Sequence, residues 1–275
     1  ITGMTVDARA QARIIDNTTV GGRADAFTLS NSTVGGNVNA NAISNCTING
    51  NASYNTRTNC TVNGMSTTPT VPPADLSPLA MPISDSALDD WEREASLLGT
   101  TTPASCPYKP VDGSTIQGVV TCDVSIEGTN IVTLTGVLRV IGNFNMQNSA
   151  QLRLAPSFGR LSGIVIADNV TNRTTSSKVE ITNSAQILGS GQPSSYIMAV
   201  SRNNSAETGG SEEAIEVGNS STAAIYYAPH GLIALQNNVN LKEATSWKMH
   251  LKNSSAVTYE SGLPDVKFSS GPTGA

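Results

Sequence analysis

The sequence predicts an all-β fold, a parallel β-helix (solenoid) carrying one inserted amphipathic α-helix. Three observations predict it. One phrase is written four times at a step of 14 residues: N-T-T-V-G-G from Asn17, N-S-T-V-G-G from Asn31, N-C-T-I-N-G from Asn45 and N-C-T-V-N-G from Asn59. Such a step is too short for a helix pair and fits one solenoid rung of two or three short strands with tight corners. Charged residues make up 13% and aromatics 4%, and Gly, Asn, Ser and Thr take their place, as a molecule of many corners requires. One stretch alone, after Ser84, carries convincing helical apolar spacing.

Each column of the repeat has a physical reading. Val20, Val34, Ile48 and Val62 form a β-branched column suited to a half-buried pleated surface. Alternation puts Thr18, Ser32, Cys46 and Cys60 on the same face, with Ala24, Val38 and Ala52 further along, and turns Thr19, Thr33, Thr47 and Thr61 toward solvent. Ile15, Leu29 and Ile43 supply a second apolar column. Gly22, Gly36, Gly50 and Gly64 mark a corner that needs positive φ or close approach. Asn17, Asn31, Asn45 and Asn59 precede the strands, where Asn tolerates the left-handed conformation and can stack as an amide ladder. A fainter copy, Thr5, Val6 and Ala8, lies one step earlier.

The predicted organisation is a regular solenoid over 1–66, a crossing segment and capping helix over 67–105, and a longer-runged solenoid with a C-terminal tail over 106–275. The crossing segment has Pro at 69, 72, 73, 78 and 82, which excludes regular structure. Ser84 or Ser86 is the expected N-cap of the helix, followed by Asp85, Asp89 and Asp90. Leu88, Trp91, Ala95 and Leu98 recur at helical spacing, and Gly99 ends the element. The helix is expected to cover an end or flank of the solenoid and hide its β-edges.

Beyond Cys106, Ile131–Ile141 alternates as strands should, with Gly136 at a corner. A second corner phrase recurs at Asn148, Asn183, Asn219, Asn237 and Asn253; the first two gaps predict double rungs or rungs with loops, the last two single rungs. Gly163–Ala167, Tyr196–Val200, Ala224–Tyr227 and Gly231–Leu235 are the expected apolar strands. Arg202–Ser211 reads as an exposed loop and Gly262–Ala275 as a tail.

Four Cys permit three pairings. Cys46 and Cys60 share a column one period apart, so rung stacking at about 4.8 Å brings them inside the usual disulfide window. Cys106 and Cys122 form the second pair. Disulfides point to an oxidising, extracytoplasmic compartment; the alternative is four buried free thiols. The chain opens at Ile1 partway through a rung, so a processed or truncated product is expected, with any export signal upstream. A net charge of -5 argues against a nucleic-acid or anionic-membrane surface.

The stacked polar corners resemble the bactofilin type of β-helix. Met81-Pro-Ile-Ser84, Asp89-Asp-Trp91, Gly163-Ile-Val-Ile-Ala-Asp168, Tyr227-Ala-Pro229, Tyr259-Glu-Ser-Gly-Leu263 and Phe268-Ser-Ser-Gly-Pro272 are similar to an uncharacterised group of exported β-helix proteins of candidate-phyla bacteria. That resemblance covers about two thirds of the chain. It implies a surface role beside a pilin-like hydrophobic segment that is not among these residues, and it hands over no catalytic residues.

No catalytic constellation, phosphate loop or metal set is read from the residues. His230 falls at a predicted corner and His250 on an alternating strand, and polar structural roles are the simpler reading of both. The acid pairs Asp89/Asp90 and Glu212/Glu213 read as solvated faces, and the outward columns are Thr, Asn and Ser rather than the acids of polysaccharide-cleaving β-helices. Ten N-x-S/T triplets are expected largely from composition; Asn172 and Asn203 are the loop candidates for glycosylation.

The expected function is therefore a non-enzymatic, exported structural protein of a filament, pilus or surface layer. Its expected partners are copies of itself, other surface subunits or glycans, with no cofactor, no nucleic acid, and membrane attachment only through an upstream segment. The alternative is a carbohydrate-binding or carbohydrate-cleaving β-helix, for which two Trp offer few stacking platforms. A third reading is ice binding by the Thr ladder from Thr19 to Thr61.

Overall fold

A computed structural model describes residues 5–68, 80–219, 225–236, 239–241, 243–251, 256–257 and 268. The chain is all-β, with parallel stacked strands in solenoid turns and, among the described residues, a single α-helix. It divides into two compact units, 1–80 with 250–253 and 81–249 with 254–275, so the helix belongs with the longer-runged solenoid. The Pro-rich segment 69–79, Asn237 and Asn253 themselves, and the tail apart from Phe268 lie outside the described residues; the described parts of those two phrases, Asn240–Leu241 and Ala256–Val257, pair in parallel at a step of 16, the single rung expected.

In the first unit the 14-residue step sets the register. Thr5–Val6, Thr19–Val20, Thr33–Val34, Thr47–Ile48 and Thr61–Val62 pair in parallel as one sheet, every Thr opposite Thr. Ala10–Asp16, Ala24–Ser30 and Val38–Ser44 build the other sheet, continued by Ala52–Ser53, Thr56–Thr58 and Ser66–Thr67. Val20, Val34 and Ile48 are buried with Ile15, Leu29 and Ile43, while the Thr column is exposed. The next residue opposite Ile43 is Arg57, which is exposed and donates to the Cys60 carbonyl from Nε at 3.0 Å. The apolar column thus ends where a cation caps the last turn.

The corners divide their requirements between two residue types. Asn17, Asn31, Asn45 and Asn59 all have φ near +50°, from 48° to 51°, the left-handed region that Asn tolerates. Gly22 and Gly50 answer instead to close approach. A Cβ on Gly22 would lie 2.0 Å from the Ala8 carbonyl oxygen, and one on Gly50 2.6 Å from the Gly36 carbonyl carbon. Side-chain amides then climb the stack: Asn45 Nδ2 donates to Asn31 Oδ1 (3.2 Å), Asn55 to Asn41 (2.9 Å) and Asn63 to Asn49 (2.9 Å).

The second unit uses turns of 16 to 36 residues. Ile131–Val140 pairs with Thr115–Val120, then with Gln151–Leu154 along its first half and Gly163–Ala167 along its second. Gly136 lies within that strand at a register shift, between Leu134 and Leu138, where pairing passes from one neighbour to the next. Phe144–Met146, Val179–Ile181 and Glu213–Gly218 stack in turn, and Gly163–Ala167 is followed by Ile197–Ser201. The corner phrases at Asn148 and Asn183 mark successive single turns of about 35 residues whose surplus leaves as loops: Ser149 N–H donates to the Asn183 carbonyl and Ser184 N–H to that of Asn219. The expected strands Ala224–Tyr227 and Gly231–Leu235 fall in one strand, Ile225–Gln236, which includes Pro229 and changes pairing partner between Tyr227 and Leu232.

The helix, Asp85–Leu97, is capped by Ser84, whose Oγ accepts from Ala87 N–H at 3.2 Å, and is followed by Gly99 at φ +107°. Thr100–Thr101 leads straight out of it to pair beside Val119–Val120. Leu88, Trp91 and Ala95 are buried against Val119, Val137, Ile164, Ile166, Met198, Val200, Ile225 and Tyr227. The helix thus covers the apolar outer face of a sheet and not its edge; the edge is occupied by Thr100–Thr101. This explains why Gly163–Ala167 and Ile197–Ser201 are buried throughout and apolar but for Ser201, since both faces are covered. Leu98, expected on the packed stripe, is the C-cap and stays 39% exposed, with its Cδ1 over Gly136.

Candidate functional site

Directly under the helix, five charged side chains meet. Asp168 follows Ala167 at the end of one strand and Arg202 follows Ser201 at the end of the next, and Ala167 and Ser201 are register partners. Arg139 stands on the preceding strand, Arg173 comes from the loop after Asp168, and Glu92 points in from the helix. Arg139 Nη2 is 3.1 Å from Glu92 Oε2 and 3.1 Å from Asp168 Oδ2. Asp168 also holds Arg173 through two oxygens, at 2.7 and 3.0 Å. Arg202 Nη1 reaches Asp89 at 2.8 Å and Glu92 at 3.3 Å. Asp168 is fully buried, and Glu92 and Arg202 nearly so.

Burial sets the protonation of the pair. It pushes the Glu92 carboxyl up to about 7; the neighbouring Asp168 charge adds to the rise, and Arg139 and Arg202 oppose it. Burial acts on Asp168 in the same sense. There it is outweighed by the hydrogen bonds and charge of Arg173 and by the charges of Arg202 and Arg139, so its carboxyl is held below the ordinary range.

His230 extends the cluster. It lies within the strand Ile225–Gln236 rather than at a corner, with Nε2 3.0 Å from Asp85 Oδ2 and Nδ1 2.8 Å from Glu207 Oε2. The imidazole joins the first turn of the helix to the segment 202–211. That segment is not the exposed loop expected: Arg202, Asn203, Ser205 and Ala206 are buried, and only Glu207–Ser211 face solvent. Asn203 is 0% exposed, donates from Nδ2 to the Ser176 carbonyl at 2.8 Å and accepts from Ser205 N–H, so the folded protein offers no glycan acceptor there. Asn172 is exposed, with Oδ1 accepting from Thr175. His250 is exposed on the strand Glu243–Leu251.

Both disulfides are formed, Cys46–Cys60 with Cα atoms 4.4 Å apart and Cys106–Cys122 at 6.0 Å. They fit a non-reducing environment. Among the described residues no helix is long and apolar enough to cross a membrane, and no group of three His, Cys, Asp or Glu is placed to hold a metal ion.

A separate cleft of about 430 Å³ opens on another face of the second unit. Asn145, Glu180 and Glu216 are register partners on three successive turns, with Lys178, Glu212 and Glu213 beside them. Lys178 Nζ binds Glu212 at 2.9 Å and Gln236 Nε2 donates to Glu216 at 2.6 Å. This outward column is acidic, where the sequence reading expected Thr, Asn and Ser throughout. The pairing of Glu180 with Glu216 was hidden because they are 36 residues apart in a turn whose length could not be counted in advance.

Five of the six phrases that carried the resemblance have residues at one place, and Tyr259–Leu263 lies outside the described residues. Met81, Ile83, Trp91, Ile164, Ile166, Tyr227 and Phe268 all belong to the apolar cluster beneath and around the helix. The Trp91 and Phe268 rings are 5.7 Å apart, and Tyr227 Oη donates to the Ile83 carbonyl at 2.5 Å. Fold and linkages together define a disulfide-stapled parallel β-solenoid protein whose helix Asp85–Leu97 is tied to its sheet by buried ion pairs. Comparison with known proteins gives no match to a protein-family model, a curated protein or a solved structure.

Proposed function

We propose that this is a non-enzymatic structural protein of the cell surface, exported to an extracellular site, that joins end to end within a filament, pilus or surface layer. The observation that carries the reading is the directional ladder of the first unit. Asn45, Asn55, Asn59 and Asn63 each donate from Nδ2 to the Asn Oδ1 one turn earlier, so these ladders run in one direction, with a donor end and an acceptor end. Thr5–Val6 and Thr61–Val62 are the first and last strands of their sheet among the described residues. A head-to-tail contact would continue both ladder and sheet, and heterologous contacts of this kind grow filaments. The two disulfides support an oxidising destination.

Introducing Thr5→Cys and Thr61→Cys together tests the contact, because the two positions occupy one column at opposite ends. Oxidation should yield a regular series of covalent multimers from the double variant and at most dimers from either single one. A monodisperse monomer at high concentration, with no multimers on oxidation, would sink the proposal.

A second reading, carbohydrate binding or cleavage, is favoured by the acidic cleft, where two carboxylate side chains stand on adjacent turns. A glycan screen tests it: hits abolished by Glu180→Gln would support this reading, and a blank screen would remove it.

A further inference from the structure

The cluster beneath the helix has a geometry that ion pairing alone does not require. One carboxylate arrives from the helix and one from the sheet, and both address the same guanidinium nitrogen, Arg139 Nη2, at 3.1 Å. Two like charges are thereby brought together in a place closed to water, with Asp168 fully buried and Glu92 nearly so. Arg139 Nε and Arg202 Nε are also buried without a hydrogen-bond partner, so these guanidiniums do not fully engage the carboxylates around them. A proton shared between the two carboxyl groups removes the repulsion while leaving Asp168 ionised against Arg173.

We propose that the helix Asp85–Leu97 is a pH-set clasp, closing tightly over its sheet while the Glu92/Asp168 pair carries one proton and loosening when that proton leaves. The groups facing Glu92 come from every element around it. Asp85 and Asp89 lie on the helix itself, Arg139 on the strand Ile131–Val140, Asp168 and Arg173 after Gly163–Ala167, and Arg202 after Ile197–Ser201. His230, on Ile225–Gln236, hydrogen-bonds Asp85 through Nε2 and sets Nδ1 2.8 Å from Glu207.

The sign follows from proton counting. With the helix closed, Glu92 holds its proton up to about pH 7; with the helix open, its carboxyl returns to water and to the ordinary Glu range. Closure is therefore favoured by acid and weakens as pH rises through that window, levelling off above about 7. Asp168 acts in the opposite sense. Its contribution is complete above the ordinary Asp range and is lost only in stronger acid, so it stays constant across the window.

Hydrogen exchange on the whole chain, corrected for intrinsic rates, reads the opening of the helix amides from Leu88 to Leu97. The open fraction should rise by up to about tenfold per pH unit as pH approaches 7, then flatten. Glu92→Gln, neutral at every pH, should remove the slope, and His230→Gln should keep it. Carbon NMR of the Glu92 carboxyl in the unsubstituted protein should show a midpoint near 7. A flat unsubstituted profile, a slope surviving Glu92→Gln, or a Glu92 carboxyl titrating in the ordinary range would each overturn the proposal. The NMR titration decides the matter even if the Gln variant fails to fold.

Discussion

The two solenoid units hold themselves together by opposite means. The first repeats a few small contacts: a Val column, a Thr column and amide ladders, each residue meeting its own kind 14 positions away. The second relies on contacts made once, such as Arg202 with Glu92 across 110 residues and Tyr227 with Ile83 across 144. Repetition spreads stability evenly over turns, as in other quasi-one-dimensional proteins. Singular contacts concentrate it, so that one substitution can undo a whole face.

The sharpest way to break this contrast is Asp168→Ala. It takes away the buried partner of Arg173 and leaves Arg139 with Glu92 alone, and should cost the second unit about 3–5 kcal/mol, read by denaturant titration with hydrogen exchange to locate the loss. An effect below 1 kcal/mol, on the order of an exposed ion pair, would mean that the cluster is more open to water than its burial indicates. In the first unit the largest single lever is the rung staple. Replacing Cys46 and Cys60 together with Ser should cost about 3 kcal/mol, the expectation for a closed loop of this length.

A repeated contact should matter less. Asn45→Ala forces a side chain with no left-handed tolerance to φ 48° and cuts the ladder at Asn31 and Asn59, for a loss of about 1–2 kcal/mol. Asn45→Gly keeps the backbone and removes only the amides, so thermal melts of the two variants separate conformation from ladder. The smallest effect is expected at Tyr226, whose hydroxyl is buried with no hydrogen-bond partner and is pushed well above its usual range by burial. Tyr226→Phe should be neutral or stabilising by up to about 1 kcal/mol; a clear loss would reveal a polar partner for that hydroxyl.

This contrast also explains how far the sequence could be read. Val34 and Thr33 announce their faces because the same pair recurs one turn before and after. Asn31 announces its backbone because a left-handed corner and an amide ladder ask for the same residue. Ser84, Leu88, Trp91 and Ala95 were legible for a similar reason, since capping and helical spacing are local. Glu92 and Arg139 were not. Glu92 looks like any helix acid, and Arg139 sits at an outward position of an alternating strand, which reads as solvent until the helix is laid over it. Asn203 misled because a run of Asn, Ser and Gly after a strand suggests a loop in water, whereas its amide fastens two loops to each other. A signal was present in Asp168 and Arg202. Both directly follow strands that are apolar on both faces, and a charge set at the mouth of such a strand must find a partner under the same cover.

The 14-residue corner has one more implication, for how such a protein changes through time. Because Asn45 and Val34 find their ladder and strand partners at the equivalent position one turn away, a turn outside the Cys46–Cys60 staple can be copied while the contacts between the remaining turns keep the same pattern. Duplication of one segment would lengthen the first unit by about 4.8 Å and leave both its ends chemically as they were. Its length is thus a digital property, adjustable by recombination within the coding sequence. The second unit, built from contacts that occur once, has no comparable freedom.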